Sequence, residues 1–242
     1  MPWQSCDIIF NSGSTDCFYA GDIITGTVVV NFQQKQKIER FNLDVVGISK
    51  ASWTRPMPTI PYIKVYSDTG VVLNINSDIF PELQGKTIVP GTYIHPFYFS
   101  LPPDLPSSFK SSIAKVFYFI KVQCKAAYKF KKKTSAPFNV LRNVDVNHLD
   151  EFLEIEYNVS SGYLKQEKKV ENVTWNKFKN EEKEVCNLSM KIPPTNPSSN
   201  YSMIKIEYKF SVTLDFPYHF SVHKEIPVTI STVPVMHVEL FK

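Results

Sequence analysis

A period-two alternation of apolar and polar side chains recurs along this 242-residue chain. Between Ile113 and Tyr128, the side chains of Val116, Tyr118, Ile120, Val122, Cys124 and Ala126 share one parity, and Lys115, Lys121, Gln123 and Lys125 share the other. Between Ile204 and Leu214, six apolar residues alternate without interruption with Lys205, Glu207, Lys209, Ser211 and Thr213. A strand sends alternate side chains to opposite faces, so this spacing builds one dry face and one wet face; a helix would scatter the same residues round its axis. Shorter runs repeat the pattern at Cys6–Phe10, Ile23–Phe32, Phe41–Trp53, Gly70–Ile75, Thr92–Leu101, Pro137–Leu141, Cys186–Ile192 and Ile226–Val233. Only Leu164–Val170 offers a short helical pattern. The 17 prolines, against 8 glycines, fall mostly between these runs, where a missing amide donor and a fixed φ end a strand. Lys35–Arg40 and Lys129–Lys133 read as charged turns, and Thr54–Pro61 as a loop. The chain is therefore expected to be all-β, folded as sandwiches.

The same residues exclude several function classes. No Gly-rich turn follows the first strand, so a doubly wound nucleotide fold is ruled out. No Gly-x-Ser-x-Gly elbow, Walker loop or His-Glu-x-x-His is present. His219 and His223 stand four apart, a spacing that converges on a helix but not on the strand expected here. The other candidates for metal or acid–base work are His95, His148 and His237. Cys6, Cys17, Cys124 and Cys186 lie apart in apolar runs, the setting of inert core thiols. No catalytic, cofactor or metal site is expected, and the chain is read as a non-enzyme.

Met1-Pro2-Trp3-Gln4-Ser5 is not a secretory leader, and no apolar run reaches the ~18 residues a membrane helix needs. The expected location is cytoplasmic, with peripheral residence at the plasma membrane or endosomes. Residues 1–142 carry 16 Lys+Arg against 9 Asp+Glu, whereas the rest carry 11 against 14. A basic first half favours anionic partners. Its densest cluster is Lys125, Lys129, Lys131, Lys132 and Lys133, placed at a strand end and turn. These are the candidate binding residues for a phosphorylated tail or an anionic lipid; a solubilising edge guard is the competing reading. Nucleic acid is not an expected partner. Tyr201-Ser202-Met203-Ile204 has the form of a Tyr-x-x-Φ sorting signal, but it leads into a strand and reads as core or edge.

Several segments resemble the arrestin-fold family, and within it the arrestin-domain-containing group, the α-arrestins. Tyr19–Val28 is similar to the family's early strand, and Val89–Phe99 to its Pro-Gly turn and aromatic strand. Leu101-Pro102-Pro103-Asp104-Leu105-Pro106-Ser107-Ser108-Phe109 is the most specific stretch. Pro137–Asn147 resembles the end of the first lobe; Met190–Pro194, Ile204–Tyr208 and Ile226–Val228 resemble the end of the second. The resemblance implies two immunoglobulin-type β-sandwiches, with a complete N-terminal lobe at 1–145 and an incomplete, shortened C-terminal lobe at 146–242. It implies an adaptor that binds the cytoplasmic tails of membrane proteins for endocytosis, trafficking or protein transport. The α-arrestin ubiquitin adaptors carry Pro-Pro-x-Tyr motifs, which this sequence lacks, so a ubiquitin ligase is expected only as an indirect partner. Two alternatives share the sandwich architecture. One is a retromer-type coat subunit. The other is an extracellular adhesion module, for which the sequons at Asn158, Asn172, Asn187 and Asn200 would be glycan sites.

Overall fold

The computed structural model describes residues 3–12, 16–56, 63–127, 131–143, 192, 194–201, 204–215, 218 and 220–232. Its strands, in chain order, are β1 (Ser5–Phe10), β2 (Cys17–Tyr19), β3 (Ile23–Phe32), β4 (Gln36–Pro56), β5 (Ile63–Asp78), β6 (Thr87–Ile88), β7 (Gly91–Ser100), β8 (Phe109–Lys110), β9 (Ala114–Ala126) and β10 (Lys132–Leu141). After them come β11 (Ser199–Tyr201), β12 (Ile204–Ile206), β13 (Tyr208–Leu214) and β14 (Val222–Val228). A single 3-10 turn, Pro81–Leu83, precedes β6. By compactness the chain divides into two units, residues 1–149 with 197–242, and residues 150–196.

Two sheets form a β-sandwich. One is three-stranded, in the order β1-β3-β7; the other runs β2-β10-β9-β4-β5, with β6 on β4 and β8 on β9. All pairs are antiparallel except β2 with β10. The alternation explains which faces meet. Ile24, Val28, Val30 and Phe32 of β3 are buried, as are Val116, Tyr118, Ile120, Val122 and Cys124 of β9. Phe138 of β10 lies at the centre of an aromatic cluster, with ring centroids 5.9 Å from Phe18, 6.0 Å from Phe10, 5.8 Å from Tyr118 and 6.4 Å from Phe99. Such offset and edge contacts add about 0.5–1.5 kcal/mol each to simple burial.

The Pro-rich stretch after β7 ties the layers together. Leu101, Leu105 and Pro106 are buried. The Tyr118 hydroxyl donates to the Pro106 carbonyl at 2.6 Å. Ser108 Oγ accepts from the Val140 amide and Ser107 Oγ from the Arg142 amide, both at 2.9 Å. A segment poor in amide donors thus serves as an acceptor rail along the end of β10. Gly47 lies at a register shift between β4 and β5. A Cβ there would sit 2.5 Å from Cε1 of Tyr118, so the close approach of backbone and ring demands glycine. Gly91 takes φ 153°, far from the ~80° of the type II turn that a Pro-Gly pair suggests.

The strand boundaries differ from the sequence reading where charge was taken for a turn. Lys35–Arg40 is mostly strand: β4 begins at Gln36, because Ile38 is fully buried between its charged neighbours. Lys132 and Lys133 likewise belong to β10 rather than to a turn. The Thr54–Pro61 loop starts later than expected, since β4 and β5 stay paired out to Pro56 and Ile63. The uninterrupted Ile204–Leu214 alternation is broken at Glu207: β12 pairs with β11 and β13 with β14. The expected inward face there is uncovered among the described residues, with Phe210, Val212 and Leu214 at 43%, 44% and 36% exposure. The readings at Leu164–Val170, Cys186, His148, His219, His237, Asn158, Asn172 and Asn187 lie outside the described residues.

Candidate binding surface of the first lobe

The five lysines expected to form one basic cluster are not equivalent. Lys129 lies outside the described residues. Lys125, on the outer face of β9, pairs with Glu39 Oε2 at 2.5 Å. Glu39 sits at a register shift between Ile38 and Arg40, and such a bulge re-aims a side chain. Lys132 faces the opposite way. Its ammonium donates to the Trp3 carbonyl at 2.9 Å and stands 5.8 Å from the Trp3 ring centroid. Trp3 is itself buried and stacks on Phe41 at 5.8 Å. Lys132 therefore clamps the N-terminal segment over the open edge of the sandwich. Lys131 and Lys133 are exposed, and no carboxylate among the described residues pairs with either.

Behind them is a shallow polar concavity of about 500 Å³ on the outer face of the larger sheet, lined by Glu39, Arg40, Asn42, Asp44, Gln123 and Lys131 among others. Asp44 is buried there. It accepts from Lys121 at 3.0 Å and from the Gln123 amide. The sequence reading missed this trio; its only trace is an acid and a lysine at outward parity in two strands. Arg40 lies 3.8 Å from Asp78. Most charges that line the concavity are paired, which leaves Lys131 there, with the exposed Lys133 two residues along the chain, to meet an incoming anion.

Two of the thiols, Cys6 and Cys124, are held in the unreactive form. Burial pushes Cys6 up to about 11, with a smaller opposing effect from its hydrogen bond to Thr134. Burial, and then the neighbouring Cys6, push Cys124 up to about 12. Both stay protonated at neutral pH, the unreactive state. Cys17, expected in the core, is exposed, because only the middle residue of the short edge strand β2 turns inward. His223 lies exposed on β14, opposite Thr213. No group of three potential metal ligands occurs among the described residues. Asn200 is exposed on β11, and Tyr201 and Ile204 are the paired, half-buried ends of the β11–β12 hairpin, so the tyrosine motif contributes to packing. No helix among the described residues is long and apolar enough to cross a membrane.

The β-sandwich and its Pro-rich rail lie where the arrestin resemblance places the first lobe, and comparison with known proteins shows the family. The family described as Arrestin (or S-antigen), N-terminal domain matches residues 6–147, and its C-terminal domain counterpart matches 147–235. The chain belongs to the arrestin family. It is 23% identical over 149 residues to Arrestin domain-containing protein 17 of Caenorhabditis elegans, an alignment covering 58% of this chain and 35% of that protein. It is 29% identical over 113 residues to Arrestin domain-containing protein 5 of Bos taurus, covering 44% of this chain and 32% of that one. The chain thus spans about a third of the length of these relatives. Among solved structures, Spo0M, a sporulation control protein from Bacillus subtilis, matches 58% of this chain and 50% of its own, with 17% identity and a TM-score of 0.33.

Proposed function

We propose that this protein is a non-enzymatic arrestin-type adaptor that binds the cytoplasmic tails of membrane proteins and directs them into endocytosis or trafficking, working in the cytoplasm and at the membranes where its cargo resides. The observation that carries the reading is the family match over residues 6–147, which coincides with the packed sandwich of β1–β10. Cys6 and Cys124 of that sandwich are buried, and its outer face offers polar recognition surface. Lys131 and Lys133 would supply the charge that attracts an acidic or phosphorylated tail, Lys125 and Lys132 being held by Glu39 and Trp3. The lobes are proposed as 1–145 and 146–242.

Proximity labelling of the tagged protein in cells tests the reading. Enrichment of transmembrane proteins with cytoplasmic tails is the expected result. Enrichment of coat subunits without such cargo, or of lumenal proteins alone, overturns it. At the residue level, Lys131→Glu with Lys133→Glu weakens capture of a phosphorylated tail peptide several-fold, each lysine acting as a point charge screened within ~8–10 Å at physiological salt. Unchanged capture by the double variant removes these two lysines from the site.

A further inference from the structure

The outer face of the larger sheet carries an unusual row. Lys50 of β4 lies directly opposite Lys115 of β9, and Lys115 lies directly opposite Lys110 of β8. All three are exposed, and no carboxylate among the described residues pairs with any of them. Directly opposed residues have Cβ atoms roughly 4.5–5.5 Å apart, and like charges at that spacing repel. Three exposed lysines in line across three strands form a band of positive charge, held at a cost to the fold.

An apolar row adjoins this band on one side, and on the other, past the polar Ser52–Ser67 pair, lies an arm with exposed aliphatics. On one side, the next row is Val71, Ile48 and Phe117, in register across β5, β4 and β9. Val71 is 67% exposed, and the Lys115 ammonium stands 4.9 Å from the Phe117 ring centroid. On the other side, β9 stops pairing with β4 at Ala114, and β4 and β5 continue without it as a two-stranded arm. Val65 and Ile63 of that arm are 63% and 68% exposed. Trp53 and Tyr66 stack across it at 5.5 Å on the face opposite to the lysine row. Trp and Tyr are the side chains that favour the boundary between water and hydrocarbon, and exposed aliphatics next to lysines are the signature of interfacial binding.

We propose that this end of the larger sheet docks on the surface of an anionic lipid bilayer, the Lys50–Lys115–Lys110 band meeting headgroups while the β4–β5 arm enters the interfacial layer. A single phosphate on a peptide is held by donors that converge on one point. A line of lysines between exposed apolar rows fits a plane of negative charge better, and it leaves the apolar rows against acyl chains rather than water. The proposal goes beyond the adaptor reading: binding to bare vesicles needs no cargo, so each can fail without the other.

Co-sedimentation with vesicles tests it, comparing phosphatidylcholine alone with phosphatidylcholine mixed with phosphatidylserine. The intact chain is expected to sediment with the mixed vesicles only, and less as salt rises. Lys50→Gln, Lys110→Gln and Lys115→Gln each lower the partition coefficient about fivefold, and the triple variant about a hundredfold. Ile63→Ser with Val65→Ser lowers it further, whereas Lys224→Gln on β14 leaves it unchanged. The triple variant melts no lower than wild type, because the change relieves repulsion. Equal binding to both vesicle types, or full binding by a folded triple variant, overturns the proposal. So does binding of a soluble phosphoserine peptide that the triple variant loses while neither protein binds vesicles, since the row would then read phosphopeptides.

Discussion

β9 and β13 carry the same written pattern and have opposite fates. In β9, the alternate residues Val116 to Ala126 are buried almost completely, because β4 and β10 flank the strand and the other sheet covers its inner face. In β13, the equally regular Tyr208, Phe210, Val212 and Leu214 have β14 on one edge and, among the described residues, no covering layer. An isolated two-stranded hairpin is marginal in water; three or more strands or a packed partner are needed for stability of its own. Alternation specifies two faces, and stability depends on what is laid against one of them.

The largest expected contrast is between core truncation in the two regions. Phe138→Ala should cost about 3–5 kcal/mol in denaturant unfolding, since the ring contacts four other aromatics and leaves a cavity. Phe210→Ala on β13 should cost no more than about 1 kcal/mol. A cost for Phe210 as large as for Phe138 would break the comparison and show that a layer covers the hairpin. Gly47→Ala comes next, at about 1–3 kcal/mol, because the added methyl must displace the Tyr118 ring. Tyr118→Phe, which strands the buried Pro106 carbonyl, should cost about 1–2 kcal/mol, measured the same way. Amide hydrogen exchange sharpens the picture without mutation: β9 should exchange only near global unfolding, and β13 and β14 through local opening. Equal protection of the two would refute it.

The smallest effect concerns pH. Cys6 and Cys124 keep folded values near 11 and 12 because they are buried, above the ordinary thiol value of 9.0. The fold therefore holds them neutral, and their contribution to stability is full below pH 9. It is lost as pH rises through 9 toward 11 and 12, where the unfolded thiols ionise first. Cys6→Ala should flatten that part of the stability profile relative to wild type. In native protein, a thiol reagent should label Cys17 at once and Cys6 and Cys124 only on unfolding.

Much of the architecture was legible in sequence because strand parity is local. The bounds of β3 and the inward residues of β9 follow from side-chain order alone, and the Leu101–Phe109 stretch marks the family. What misled was charge: Gln36–Arg40 and Lys132–Lys133 read as turns but are strands, since a charged residue at outward parity costs a strand little. The binding surface was less legible still. Lys132 looked like its neighbours until the Trp3 carbonyl, 129 positions away, appeared against it.

By itself, the sequence determined that this chain is built of strands, which side chains β3 and β9 turn inward, and that the arrestin order of segments is present. Only the tertiary structure decided which charges stand together. Lys50, Lys110 and Lys115 come from three strands and form one row through the registers of β4, β8 and β9. Lys125, in sequence part of a basic cluster, is neutralised by Glu39 across a bulge. The physical reason is range. The direction of a side chain is fixed by its own backbone, whereas its neighbours across a sheet are fixed by pairing between segments tens of residues apart.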